Sequence, residues 1–412
     1  MRSPRWVWAL ALGLLLVRAL LLAASVSPDR ALTGDENQYD GPARSVLQGH
    51  GFTHLGQPWV WKPPLWPLVL AGVKGVFGQD HRPAVFVQGL FDAGTALLAW
   101  FVTRRLFGSV RAAWIAFALV ALWPPYLRES RFLQTEPLYT LGVAATLAAF
   151  VRFAQRPTVA SSLVMGLVIG GSSLVRPTGF AVAAALFLTW FVLDRGVIRS
   201  WRALVPMALA AALVVAPWTL RNARVFHAFI PFSTGGGEVF AMGTSTTTDG
   251  RWHERLWLHE RDSLWTLEAR RVGHALGVVE KDKVLYAVGI ERWRQDPATQ
   301  LHLWGKRLWR TFALPVGQPH LAIRVAFLAV LVALYALAFA GARLAWRRRD
   351  ALSRLGMVMI VTYAVHGLLL SGVAASSRYT EPARMMLLLL AAGAIASWLP
   401  GPRPDAPEPA PR

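Results

Sequence analysis

Apolar runs of bilayer length recur along the chain, separated by short basic stretches, and this pattern admits few folds. The first run, residues 6–26, holds 21 residues, and a helix of that length, rising 1.5 Å per residue, crosses a hydrocarbon core of ~30 Å. Backbone groups find no water inside a bilayer, so such runs fold as helices whose polar groups are satisfied within each segment. Nine further runs read the same way: residues 82–102, 112–126, 135–153, 161–175, 178–193, 203–220, 321–345, 355–374 and 382–399. Residues 65–77 are too few to span and include Lys74, so they read as an amphipathic helix lying along the membrane surface. The expected fold is an all-α integral membrane bundle of about ten transmembrane helices, with that juxtamembrane helix and a small helical region outside the membrane. Composition agrees: 54% of residues are apolar and 16% charged, against ~25% charged in soluble globular domains.

The basic flanks set the topology. Arg104, Arg105 and Arg111 close one hairpin, Arg152 and Arg156 the next, then come Arg195, Arg199 and Arg202, and finally Arg347, Arg348 and Arg349. Under the positive-inside rule these ends are cytoplasmic, as are both termini. The formal charge of +20 is thus spread between spans rather than gathered in one patch, which argues against a nucleic-acid partner. Residues 1–5 give a charged start, but the run behind them is too long for a signal-peptide core, so an uncleaved first helix is expected. The absence of cysteine excludes disulfides, thiolate metal sites and cysteine nucleophiles.

This layout divides the chain into four parts. Residues 1–222 form an N-terminal module with a first external loop at 27–64 and the juxtamembrane helix at 65–78; residues 223–319 form a helical region outside the membrane; residues 320–399 carry the last spans; and the Pro-rich tail, 400–412, reads as disordered. Within the long connection, helices are expected at 262–276, 283–294 and 297–312, the last started by Asp296 and Pro297. That last helix alternates Leu301, Trp304, Leu308 and Phe312 with Lys306, Arg307 and Arg310, a pattern shared by interfacial helices and by soluble amphipathic ones. Gly235, Gly236 and Gly237 suit a plain turn better than a phosphate cradle, since no strand-and-helix pattern surrounds them. No dinucleotide fingerprint and no fixed-period repeat is visible.

Directly after the first run stand Asp35 and Glu36, adjacent carboxylates close to a membrane surface, a costly arrangement unless their charge is used. One reading is a helix start capped by Thr33 or Asp35, with Glu36 in its first turn. The residues that follow support a second: Tyr39, Ala43, Leu47, Gly49 and Gly51, then Lys62-Pro63-Pro64-Leu65, Pro67 and Phe77-Gly78. This order resembles the first external loop of the GT-C glycosyltransferases. Within them it looks most like the polyprenyl-phosphate-sugar-dependent family 39 group, which holds protein O-mannosyltransferases and lipid A aminoarabinose transferases. Gln134-Thr135-Glu136-Pro137, Arg176-Pro177-Thr178-Gly179, Pro217-Trp218-Thr219-Leu220-Arg221-Asn222, and Ser377-Arg378-Tyr379 with Pro382 extend the resemblance over most of the membrane part. Residues 223–319 carry little of it.

The resemblance implies transfer of a sugar from a polyprenyl-phosphate donor to a hydroxyl of a lipid, glycan or protein, at the outer face of the cytoplasmic membrane. Lys62, Arg176, Arg221 and Arg378 are the expected donor-phosphate ligands, because cations fixed at the interface stabilise charge growing on a leaving phosphate. Each arginine also has an ordinary reading, a span-end side chain snorkelling to the headgroups. Asp35 is the expected base, with Glu36 beside it in the catalytic set. Glu136 matches the family's second acidic position and would orient the acceptor or help bind a divalent metal; it is equally an ordinary helix start before Pro137. Tyr39, Arg128, Arg131 and Tyr379 are expected in acceptor contact or positioning, and Glu129 stands among them without a role. The expected course is one displacement with inversion, since a covalent intermediate would need a second, nucleophilic carboxylate.

Two departures narrow this. Some aminoarabinose transferases carry an acid where this chain has Trp61, which puts a metal site using it in doubt. The large domains of eukaryotic protein mannosyltransferases are absent, leaving a protein acceptor unsupported. His50 and His54 are spaced like no strong metal motif and read as interfacial. Arg18, mid-span, is expected to pair inside the bundle with Asp92, a structural role. A lipid-linked-sugar flippase would instead line the bilayer midplane with ionisable residues, and a glycan polymerase or ligase would differ only in substrate length.

Overall fold

The computed structural model describes residues 4–193, 201–249, 254–313, 320–347, 352–373 and 377–399. Arg195, Arg199, Arg348, Arg349 and the tail 400–412 lie outside the described residues. In chain order the helices are α1 (Arg5–Ala24), α2 (Asp35–Leu47), α3 (Leu65–Phe77), α4 (Arg82–Phe107), α5 (Val110–Ala121), α6 (Pro124–Glu129), α7 (Glu136–Gln155), α8 (Val159–Val175), α9 (Thr178–Leu193) and α10 (Trp201–Phe226). They continue with α11 (Gly236–Thr244), α12 (Glu254–Val272), α13 (Val278–Gln295), α14 (Pro297–Ala313), α15 (Leu321–Trp346), α16 (Leu355–Val373) and α17 (Glu381–Trp398), with a 3-10 turn at Ser377–Tyr379. Between α2 and α3, β1 (Thr53–His54) pairs antiparallel with β2 (Gln57–Pro58).

Among the described residues α1, α4, α7, α10, α15 and α16 are long and apolar enough to cross a bilayer, and α8 and α9 are shorter apolar helices where spans are expected. The protein is a multi-pass membrane protein. One expected span is interrupted: α5 stops at Ala121 and α6 restarts at Pro124, because Pro124 and Pro125 have no N–H with which to continue the ladder. At 12 residues, α5 is only ~18 Å long. The juxtamembrane helix falls where expected, but Lys74 is not on its wet face: it is 2% exposed and ion-paired with Asp40 of α2.

Where helices cross closely, small residues face the contact while large apolar side chains cover the outside. On α1, Leu10, Leu14 and Leu21 are exposed, while Ala11, Leu15, Ala19 and Ala23 form the buried stripe against α4. A Cβ on Gly89 of α4 would meet the Cβ of Ala19 at 2.7 Å. On α8 a Cβ at Gly166 would strike the carbonyl of Met207, and on α15 one at Gly341 would strike that of Leu390. Backbones approach this closely because lipid tails are as apolar as leucine, so contact area and fit must supply the attraction between helices. The centre is α17, buried continuously from Glu381 to Ala394 and contacted by α4, α5, α7, α15 and α16; a helix apolar on every side belongs in an interior.

The helices α11 to α14 pack together and onto α16. Gly235, at φ +93°, caps α11, and the N–H groups of Gly235 and Gly237 both lie 2.8 Å from Oδ1 of Asp282 in α13. The glycines therefore form a helix N-terminus that holds a carboxylate of this chain, not a plain turn. On α14 the buried row is Gln300, Leu303, Arg307 and Thr311, whereas Leu301 is 55% exposed. The expected apolar row is displaced because Arg307 turns inward to donate to the carbonyls of Gly243 in α11 and Ser371 in α16.

Arg18 and Asp92 pair across α1 and α4 at 2.8 Å, as expected, and the Ser130 hydroxyl donates to the same carboxylate. Removing one partner strands a buried charge. Asp92→Ala should cost about 3–5 kcal/mol, and Arg18→Leu with Asp92→Leu should recover most of it. Thermal unfolding in micelles checks this; equal losses in both variants would show that the pair is not the source.

Candidate active site

Gly34 makes the first turn of the site. At φ +54° and ψ −123° it occupies backbone space that a side chain strains against, and it lets α2 begin at Asp35 without a side-chain cap. Thr33 and Asp35 are therefore not the cap, although the helix start itself is as one reading expects. Glu36, in the first turn, folds back into the protein with 0% exposure. It accepts from Arg30 at 2.9 Å, the Thr33 N–H at 3.2 Å and the Leu133 N–H at 2.8 Å. Burial opposes its charge, yet these donors outweigh burial and hold the carboxyl below its ordinary value. With both oxygens used internally, Glu36 joins the loop to the segment before α7. It presents nothing to a substrate.

The same segment is held from two more sides: the Trp66 indole donates to the Leu133 carbonyl at 3.2 Å, and the Gln88 amide donates to that of Phe132 at 2.7 Å. This frame fixes Glu136 at the start of α7. Around it converge the turn between α8 and α9, which brings Arg176, and the 3-10 turn before α17, which brings Arg378.

The result is a continuous lattice. Lys62 donates to Oδ1 of Asp35 at 2.9 Å, and Arg378 donates to its Oδ2 at 3.3 Å. Arg378 and Arg176 share Oε1 of Glu136, the latter at 2.6 Å. Arg176 also donates to the Thr135 hydroxyl at 2.8 Å and lies over the rings of Tyr139 and Tyr379 at 5.8 and 5.5 Å. Lys62 lies 5.8 Å from the ring centre of Tyr39. Oε2 of Glu136 is buried with no donor. Asp35 is the open carboxylate, with 28% of its side chain exposed against 4% for Glu136.

The charges set each other's titration. The Lys62 ammonium, helped by Arg378, holds Asp35 well below the usual carboxylate range. Burial works against the charge of Lys62, but Asp35 and Tyr39 outweigh it and raise the amine. Glu129, which ends α6, is pushed the other way: burial first and then the neighbouring Glu136 carboxylate raise it to about 7, against Arg378 and Arg128. It lies 4.0 Å from Arg378 and 2.8 Å from Arg128.

Asp35, Lys62, Glu136, Arg176, Arg378, Tyr39 and Tyr379 are thus brought together from separated segments. Other expected members are not. Arg221 donates to the carbonyls of Trp59 and Phe52 at 2.9 and 2.8 Å, and packs on the Trp218 ring at 4.9 Å. Its guanidinium fastens the β-hairpin to α10 instead of facing the carboxylates. Arg128 sits on the rim with Glu129, and Arg131 reaches the Ser25 carbonyl at 3.4 Å. His54 stacks on Trp59 at 4.7 Å. Trp61 donates to Glu238 of α11 at 3.1 Å. Glu129 and Thr135 join the site without an assigned role; their sequence signals are an acid set among arginines just ahead of a span and the Gln134-Thr135-Glu136-Pro137 segment.

Residues 61–220 match the family of dolichyl-phosphate-mannose-protein mannosyltransferases. An undecaprenyl phosphate-alpha-4-amino-4-deoxy-L-arabinose arabinosyl transferase 2 from Pseudomonas fluorescens is 23% identical over 230 residues, 53% of this chain and 41% of that protein. An uncharacterized protein of Aquifex aeolicus is 24% identical over 168 residues, 39% of this chain and 33% of that protein. The chain spans less than half the length of these curated relatives. Among solved structures, an Archaeoglobus fulgidus oligosaccharyltransferase in complex with Zn and sulfate aligns with a TM-score of 0.54 at 15% identity, over 92% of this chain and 48% of that one. The chain has the GT-C fold. ArnT from Cupriavidus metallidurans bound to undecaprenyl phosphate aligns at a TM-score of 0.49 and 17% identity, over 90% of this chain and 77% of that one.

The site's residues do not fit a divalent metal. Asp35 and Glu136 are each neutralised by a lysine or arginine at the position a cation would take. Among the described residues no group of three or more histidines or carboxylates is arranged to hold a metal ion.

Glu129 gives the site a pH signature. An acid raised from 4.5 to about 7 contributes stability that is complete below the lower value and is lost as pH rises through the upper one. Wild type should lose melting temperature across that window, and Glu129→Gln should remove most of the slope. An unchanged slope in the variant would refute the assignment.

Proposed function

We propose that the chain is a glycosyltransferase that takes a sugar from a polyprenyl-phosphate carrier and gives it to a hydroxyl acceptor, with inversion at the anomeric carbon. The observation that carries this is the lattice of Lys62, Arg176 and Arg378 around Asp35 and Glu136 at one end of a GT-C bundle. Donor phosphate competes for the three cations. As Lys62 and Arg378 turn to it, Asp35 loses the charges that keep it a poor base and becomes able to accept a proton. The acceptor oxygen then attacks the anomeric carbon while its proton passes to Asp35. The sugar–phosphate bond breaks with its electron pair on the leaving oxygen, and the cations stabilise that charge. Oε2 of Glu136, buried without a donor, suits a hydroxyl of the sugar or of the acceptor.

Arg104, Arg105, Arg152 and Arg156 collect at the other end of α4 and α7. By the positive-inside rule that end is cytoplasmic, which supports a site on the outer face of the cytoplasmic membrane. The helices α11 to α14 lie on the same side as the site and are the natural surface for acceptor selection. The four-part division expected from the sequence is kept as part of this proposal.

The test is transfer of labelled sugar in sealed vesicles supplied with a panel of polyprenyl-phosphate sugars. Asp35→Asn should lower the rate ~10²–10⁴-fold, and Lys62→Ala or Arg378→Ala ~10²–10³-fold, read as released polyprenyl phosphate. Glu36→Gln should act on stability first. A full rate in Asp35→Asn would remove the base, and label crossing the membrane with its phosphate bond intact would identify a transporter.

A further inference from the structure

At the end of the bundle away from the carboxylate lattice lies a cavity of about 670 Å³, lined by Phe101 and Arg105 of α4, Arg152 and Gln155 of α7, Arg156, Thr158 and Ser161 at the start of α8, and Leu352. Arg152 stands ~24 Å along α7 from Glu136, so the two sites do not share residues. Three arginines line one space, and among the described residues no carboxylate lines it. Among the described residues Arg105, Arg152 and Arg156 form no ion pair, in contrast to Lys62, Arg176 and Arg378 of the lattice, each of which has a carboxylate. Arg105 is steadied over the Phe101 ring at 5.4 Å.

The first turn of α8 faces the same space. Thr158 and Ser161 form a reciprocal capping box, Ser161 N–H to the Thr158 hydroxyl at 3.2 Å and Thr158 N–H to the Ser161 hydroxyl at 2.9 Å. The positive end of that helix dipole is thereby held beside the three arginines. Arginines that merely snorkel at a span end spread outward into water. These are exposed as well, but all three line one space bounded by α4, α7 and the start of α8, with the side chains of Phe101 and Leu352 alongside.

We propose that this cavity binds the phosphate headgroup of an anionic membrane lipid, its acyl chains running along α4. A guanidinium trio with a helix N-terminus matches a phosphodiester in charge and in hydrogen-bond geometry. A zwitterionic headgroup brings its own ammonium into the same space and is disfavoured.

The experiment uses the full chain, purified after exchange into mixed phosphatidylglycerol and phosphatidylcholine nanodiscs and examined by native mass spectrometry and thermal unfolding. Wild type should retain phosphatidylglycerol over phosphatidylcholine and melt higher with it. Arg105→Gln with Arg152→Gln and Arg156→Gln should lower that preference roughly tenfold or more, while Arg111→Gln with Arg343→Gln and Arg347→Gln, which removes equal charge, should keep it. If the triple variant does not fold, Arg156→Gln alone should show a partial loss. Equal retention of the two lipids by wild type, or equal preference in all variants, would overturn the proposal. So would inorganic phosphate in micelles reproducing the full thermal shift, since the ligand would then be a soluble anion.

Discussion

Helices in a bilayer gain little from hiding apolar surface, because the lipid is as apolar as they are, so they must fit. This chain meets that constraint with glycine and alanine at several close crossings: Ala19 against Gly89, Gly166 against Met207, Gly341 against Leu390. Everything polar depends on those crossings. The pairing of Arg18 with Asp92 is possible only because α1 and α4 lie close enough to share a charge at depth, and α17 accommodates Glu381 and Arg384 in its buried first turns because Trp123 donates to the former at 3.0 Å.

The site is an instance of charges that cannot each be satisfied alone. Two carboxylates and three cations are drawn from loops hundreds of residues apart, and Arg378 bridges the carboxylates. In water such pairs contribute little; at a half-dry interface each one fixes the next. The lattice is close to neutral without a ligand, which keeps it folded, and it is made of groups that a phosphate can take over one at a time.

Much of this was legible in the sequence because membrane folds are written in run length and flanking charge. The spans, the surface helix at its observed bounds and the pairing of Arg18 with Asp92 follow from hydropathy and from the cost of a lone charge in lipid. Asp35, Lys62, Glu136 and Arg378 were placed near one another by topology and by motif. What could not be read was direction. Glu36 sits beside Asp35 in the chain and Arg221 near the end of an expected span, yet both turn their side chains to backbone groups, the first after the Gly34 turn and the second onto the residues flanking the β-hairpin. Nor does pattern alone reveal that Arg307, among the polar positions of α14, is needed inside by two orphan carbonyls, or that Pro124 divides one span into two helices.

Trp61 links this site to the rest of the molecule. Its indole is tied to Glu238, and Glu238 in turn accepts from Trp257 at 3.1 Å and Arg261 at 2.9 Å on α12. One peptide bond separates that knot from Lys62. The layer of helices outside the bundle is therefore tied, through one indole and one peptide bond, to the residue whose ammonium rests beside Asp35.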